Sequence, residues 1–308
     1  ELEYIFKHII THEVTYNLML YAQRRELHRA VAEWIERHHA ADLAPYNLLL
    51  AHHWEHAGRT GRAVELILQA LERAHRLSAG RDLAALLRRV RELCERHGHR
   101  LDDDQALQLD YYAAMTHVAL GEHEKARVAL SDLLDRLGMP VPRSNLGLGL
   151  GLGGKMLRQG LARRVTWLGA RPSHLPPARA RMAVTALNAL VGIGMMAADQ
   201  MLIGWATMQV VGLGDGWAPP EELAQAHALA GVMYSALGDS QNAERYLARA
   251  HALVGPQRSP QRSMTLVTAA IPAIGSGDWD RLDPLLDEAV ELATYLGDRM
   301  SAAFALVY

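Results

Sequence analysis

The feature that most constrains this chain is a spacing that returns four times. A small residue is followed three positions on by a bulky one and four later by glycine. Apolar residues then fall five, four and three positions further along. Ala51-Trp54-Gly58-Ala63-Ile67-Ala70 has this spacing, as do Ala114-His117-Gly121-Ala126-Leu130-Leu133 and Gly231-Tyr234-Gly238-Ala243-Leu247-Ala250. Ala270-Ala273-Gly277-Leu282-Leu286-Ala289 is a less regular copy, and Leu71-Ala74-Ser78-Leu83-Leu87 a degraded further one. The pattern describes a helical hairpin. The small side chain lets two helices approach, the bulky one wedges between them, and glycine supplies positive φ where the first helix ends. Such hairpins cannot bury an apolar face alone, so successive copies must stack.

Composition agrees with an all-helical chain. Half of the 308 residues are hydrophobic but only 2 are Phe, and the alanine–leucine bias is poor in the β-branched and aromatic runs that strands prefer. A net charge of −2 gives no global argument for nucleic acid or an acidic ligand. Cys94 is the single cysteine. It excludes an internal disulfide framework, fits a reducing cytoplasm, and reads as a buried structural thiol. Glu1-Leu2-Glu3 is acidic where a secretion signal needs positive charge. The start in a strand-like Glu3–Lys7 and the close in an apolar run lead us to expect a piece of a longer protein.

Helical periodicity places helices at about 11–21 and 24–38, then at 43–57, 61–77, 81–97, 102–119 and 122–137. Leu27, Ala30, Val31, Trp34 and Ile35 form the expected apolar face of the second. The helix at 61–77 is placed to serve two hairpins, and Pro45 to open the helix that carries Ala51. Asp102-Asp103-Asp104 reads as an N-cap and a negative first turn. After Pro140 and Pro142, helices resume near 178–196, 200–213, 220–236, 240–254, 260–275 and 279–296, with a last one from Asp298.

The intervening segment is basic and rich in Gly, Leu and Pro. Gly149-Leu150-Gly151-Leu152-Gly153-Gly154-Lys155-Met156 meets the letter of a phosphate-loop pattern. Met156, however, stands where a hydroxyl must ligate Mg²⁺, and no strand leads in. The run reads instead as a linker into a basic amphipathic helix carrying Lys155, Arg158, Arg163, Arg164 and Arg171. That helix is read first as packed on the array, and second as a membrane-surface contact through 143–171. Residues 182–214 carry only Asp199 as a charge. They read as a buried helical hairpin rather than a membrane span, with Met195, Met196, Met201 and Met208 as gap-filling core.

No catalytic constellation can be assembled. His52 and His56 lie one helical turn apart and could share a metal. With no Cys beside them, and with His53 and Glu55 expected to point away, they read as surface or groove histidines and no metal site is expected. Trp54, His117 and Tyr234 are candidate partner-binding side chains, read first as wedges between helices.

The repeated spacing resembles that of tetratricopeptide (TPR) repeats. Tyr4-Ile5-Phe6-Lys7-His8, Glu13-Val14-Thr15-Tyr16 and Arg24-Arg25-Glu26-Leu27-His28 resemble the end of the winged-helix module in bacterial STAND-type signalling ATPases. Leu50-Ala51-His52-His53-Trp54-Glu55-His56-Ala57-Gly58 resembles the first TPR of the same proteins. Relatives of that kind often carry a class III adenylate/guanylate cyclase or a Ser/Thr kinase. The resemblance implies that His8 senses a nucleotide phosphate together with the upstream ATPase, a role an imidazole at a helix N-terminus suits. It also implies ATP or ADP with Mg in the full-length protein, and no cofactor in this chain.

The expectation is therefore an all-α, TPR-like helical-hairpin solenoid with a short strand–helix winged-helix remnant at its start. Residues 1–40 end the winged-helix module and 41–137 hold repeats. Residues 138–177 are the basic linker and helix, and 178–308 hold further repeats, cut short at the end. The expected function is non-catalytic: a cytoplasmic regulatory scaffold whose concave face binds a protein, peptide or small ligand and controls the upstream ATPase in cis. No nucleic acid is expected on it. Alternatives are a part of a full-length nucleotide cyclase or kinase, and a freestanding TPR adaptor.

Overall fold

The computed structural model describes residues 9–77, 79–164, 175–213, 220–255 and 258–297, and among them every regular element is a helix. The expected strand at 3–7, His8, the basic segment from Val165 through Trp167 and Leu168 to Arg171, and the helix from Asp298 lie outside the described residues.

The chain divides into two compact units, Glu1–Ala129 and Leu130–Tyr308. The first holds α1 (Ile9–Leu18), α2 (Tyr21–His38), a 3₁₀ turn at Ala44–Tyr46, α3 (Asn47–His56), α4 (Thr60–Arg76), α5 (Gly80–His97), α6 (Asp103–Ala119) and the start of α7 (His123–Arg136). Neighbours in sequence pack on one another: α2 on α3, α3 on α4, α4 on α5 and α5 on α6. As expected, α4 serves two hairpins. Its Leu66, Ile67 and Leu71 are almost wholly buried, each worth about 1.5–3 kcal/mol of apolar burial. Pro45 sits in the 3₁₀ turn that leads into α3. Asp102 caps α6 by accepting from the Gln105 amide at 2.7 Å, while Gln105 Oε1 accepts from the Asp102 amide at 3.2 Å. Asp103 and Asp104 follow in the first turn, where the helix dipole favours negative charge.

The second unit continues with the end of α7, then α8 (Asn145–Arg164), α9 (Pro177–Met196), α10 (Gln200–Leu213), α11 (Pro220–Ala236), α12 (Ser240–Val254), α13 (Pro260–Ser276) and α14 (Trp279–Leu296). The pairs α9–α10, α11–α12 and α13–α14 are packed hairpins, and α11 also packs on α13. Asp199, Asp239 and Ser259 cap α10, α12 and α13, accepting from the amides of Leu202, Asn242 and Arg262.

The repeated spacing has the same physical meaning in each copy. Gly58, Gly121, Gly238 and Gly277 all end a helix with φ between 69° and 76°. The small positions Ala51, Ala114 and Ala270 are fully buried. At Gly231 an added Cβ would lie 2.7 Å from Leu247 Cγ, so α11 and α12 approach at a distance that only glycine permits.

Three expectations are corrected. The Gly/Leu run is not a linker: residues 145–154 are the first half of α8. Ser144 Oγ accepts from the Gly147 amide at 3.1 Å, and the glycines let α10 come close. A Cβ on Gly151 would meet Trp205 at 3.1 Å, and one on Gly204 would meet Leu152 at 3.0 Å. The backbone amides of this run are spent within a helix, so they form no phosphate-cradling loop. Lys155 bonds Gln209 on α10.

The methionines differ next. Met208 is fully buried, but Met195, Met196 and Met201 are 54%, 74% and 43% exposed. They flank the α9–α10 turn, where the chain reverses at Ala197–Asp199. The hairpin itself is as expected, and no helix of the described residues is long and apolar enough to cross a membrane.

Finally, the face of α2 that turns inward is rotated. His28, Ala32 and Ile35 are buried, whereas Leu27 and Trp34 are 45% and 49% exposed and Ala30 is exposed. The docking of α2 on α3 fixes this orientation, and it places an imidazole where apolar periodicity predicts a leucine.

Candidate functional site

That rotation gathers four histidines in the first unit. His52, His53 and His56 project from α3, and His28 meets them from α2. The His28 ring centroid lies 4.8 Å from that of His56, 5.0 Å from His53 and 5.7 Å from His52. His52 and His56 are 4.2 Å apart, centroid to centroid. His28 is 8% exposed, while His52 and His56 are exposed and His53 half-buried. The cluster therefore has a buried floor and an open mouth.

Hydrogen bonds orient the rings. Tyr16 Oη on α1 and His28 Nε2 share a bond of 2.8 Å, which turns His28 Nδ1 toward α3. There it lies 2.8 Å from His53 Nδ1. His56 Nδ1 donates to the His52 carbonyl at 2.9 Å. A carbonyl only accepts, so the proton of a neutral His56 sits on Nδ1 and its Nε2 carries the lone pair. His28, His52 and His56 each offer one ring nitrogen within 4.8 Å of the other two.

Burial and crowding favour the neutral form of His28, His52 and His53. Burial first, then the charges His56, His53 and His52 would carry, lower His28 to a pKa of about 4. Burial followed by His56 and Arg89 lowers His52, against a small opposing pull from Glu55. Burial, His52 and His56 lower His53. Neutral imidazoles present lone pairs rather than positive charge, the condition for ligating a metal.

The expectation for Glu55 and His53 was half right. Glu55 does turn away, toward α5, where Arg96 Nη1 lies 3.0 Å and His97 Nε2 3.7 Å from its carboxylate. His53 does not turn away, because α2 crosses α3 on the side where it projects. His28 was missed altogether. The only sequence signal for it was a histidine inside an amphipathic helix adjoining the His-rich one.

The other candidates take different places. Trp54 is 9% exposed, and its Nε1 donates to Glu36 Oε1 at 3.2 Å, so it wedges between helices with its one polar atom satisfied. Tyr234 is 5% exposed and stacks on Tyr246 of α12 at 5.2 Å between centroids. His117 is partly exposed, with its Nδ1 2.5 Å from Glu122 Oε2. Trp54 and Tyr234 thus occupy the wedge positions of their hairpins; Trp54 and His117 belong to the first unit and Tyr234 to the second. Cys94 is half-buried rather than buried, and its pKa is raised by burial and then by Glu95. Comparisons of the chain with protein families, curated proteins and solved structures return no match.

Proposed function

We propose that this chain is a non-catalytic regulatory scaffold of TPR-like repeats. It binds a protein, peptide or small ligand and controls the nucleotide state of a STAND-type ATPase module on the same polypeptide, in the cytoplasm. The observation that carries the reading is the shared meaning of the repeat positions. Four left-handed glycines end four helices, and buried small residues stand where the next helix approaches. Units built this way present long rows of helix faces, a geometry suited to binding rather than to chemistry.

A second observation supports the coupling. On α1, α2 and the turn between them, Leu18, Leu20, Tyr21, Leu27 and Trp34 are all between 45% and 78% exposed. This apolar surface adjoins the stretch that resembles a winged-helix end, and the reading assigns it to contact with the ATPase module. His8 is the proposed phosphate sensor of that module, and Trp54 and Tyr234 keep the repeats in register rather than touch the partner directly.

The test uses the intact protein. ADP release is compared between the whole chain, a form ending before residue 41, and the whole chain carrying His8→Ala. Faster release from both altered forms is expected. Release unchanged by removal of the repeats overturns the regulatory reading, and release unchanged by His8→Ala overturns the sensor role alone.

A further inference from the structure

We propose that His28, His52 and His56 form a binding site for a divalent late first-row transition metal, best suited to Zn²⁺. The donor set fits such an ion. Imidazole nitrogen is a borderline ligand preferred by zinc and its neighbours, and three histidines with a fourth, open position is a recurring zinc arrangement.

The geometry needs little change. Nitrogens bound to one tetrahedral zinc at about 2.0–2.1 Å stand about 3.3 Å from each other. The three nitrogens here already lie within 4.8 Å of one another. Closing that gap calls for the exposed His52 and His56 rings to turn toward the buried His28. His52 and His56 are one turn apart on α3, and His28 comes from a second helix, so the site forms only once α2 has docked on α3.

Supporting contacts are in place for two of the three ligands. Metal-bound histidines usually donate their other ring N–H to a fixed partner, which orients the ring and raises its basicity. Tyr16 Oη, 2.8 Å from His28 Nε2, can accept that proton and leave Nδ1 for the metal. The His52 carbonyl accepts from His56 Nδ1 at 2.9 Å and leaves Nε2. His53, whose Nδ1 lies 2.8 Å from His28 Nδ1, gives up this bond on loading. The fourth position faces the open side of the cluster and is taken by water.

Charges around the site are mixed and modest. Arg89 disfavours added positive charge at His52, and Glu55 favours it. Arg24 lies over the Tyr16 ring with its guanidinium carbon 5.4 Å from the centroid. Glu55, the carboxylate among them, is turned to Arg96 and His97 on α5, so the cluster offers nitrogen donors rather than the oxygen ligands that calcium and magnesium prefer. The site is therefore selective by donor type. It does not rest on the regulatory reading, and it would stand in a protein with any other role.

The experiment titrates the metal-free chain with Zn²⁺ in competition with a chromophoric chelator, alongside His52→Ala, His56→Ala and His28→Gln. One Zn²⁺ per chain is expected. Affinity should fall about a hundredfold in either exposed-histidine variant, and at least about tenfold in His28→Gln. No stoichiometric binding overturns the proposal. So does a folded His28→Gln chain of undiminished affinity, which would reduce the site to the His52–His56 pair. His28 is buried, so its variant can unfold. X-ray absorption of the zinc-loaded, unsubstituted chain counts ligands without it: three imidazoles per metal are expected, and two or fewer overturn the three-ligand site.

Discussion

Replacing Gly231 with alanine sets two known effects against each other. Gly231 lies inside α11, and alanine gains about 0.8–1.0 kcal/mol over glycine within a helix. The new methyl, however, would stand 2.7 Å from Leu247 Cγ, 2.8 Å from Leu247 Cδ2 and 3.2 Å from the Ala243 carbonyl oxygen. Carbon–carbon contacts settle at about 3.5–4.0 Å, so α11 and α12 must part by roughly an ångström. Leu247 is 3% exposed and has no room to swing away, and the Ala243 oxygen is backbone and cannot. Overpacking of this kind costs about 1–3 kcal/mol. With two immovable neighbours the upper half of that range applies, and a net loss of about 1–2 kcal/mol remains after the helix gain. For a unit of this size, that lowers the thermal midpoint by about 2–4 °C per kcal/mol. Gly154→Ala is the control. It lies in the same unit on α8, with nothing within 4 Å of the added Cβ, so it should stabilise by up to about 1 kcal/mol. Differential scanning calorimetry or denaturant unfolding of the two variants should give opposite signs. If Gly231→Ala stabilises as much as Gly154→Ala, the close-approach reading of the small repeat position is wrong.

Asp102→Ala removes the acceptor for the Gln105 amide and should cost about 1 kcal/mol. Asp102→Asn should recover most of it, as read by urea midpoints. His75 on α4 bonds Tyr111 Oη at 2.9 Å, and burial lowers its pKa below 6.5 despite the pull of Glu72. The folded chain therefore binds fewer protons than the unfolded one as pH falls below 6.5. Its contribution to stability is complete above that value and declines on acidification. Urea midpoints taken from pH 7.5 down to 5 should fall, and His75→Gln should make the decline shallower. An unchanged slope would show that His75 is not held neutral by the fold.

Much of the architecture was legible because it is local. Capping residues, prolines and left-handed glycines act over a few positions, so the bounds of α6, α9, α10, α11 and α12 could be read within a residue from Asp102, Pro177, Asp199, Pro220 and Asp239. The register of the hairpins was legible for the same reason, since the small–bulky–glycine spacing describes contacts within one hairpin. The Gly/Leu run misled because glycine lowers helix propensity. The gain from close packing against Trp205 on α10 outweighs that, and nothing in residues 145–154 themselves announces it.

The histidine cluster divides along the same line. The pairing of His52 with His56 follows from a period of 3.6 and needed only the sequence. The inward turn of His53 and the arrival of His28 needed the angle at which α2 docks on α3. That angle is decided by how Ala32 and Ile35 fill the space between the helices, a packing problem with no signature at a fixed spacing. The sequence by itself determined an all-helical chain of hairpins, where α6, α9, α10, α11 and α12 begin and end, and which residues must be small. Only the tertiary structure decided which face of α2 is buried, which methionines stay outside, and that four histidines from two helices share one place. The reason is physical: caps and turns are settled by bonds between near neighbours, whereas a site across helices is settled by the shape of side chains far apart in the chain.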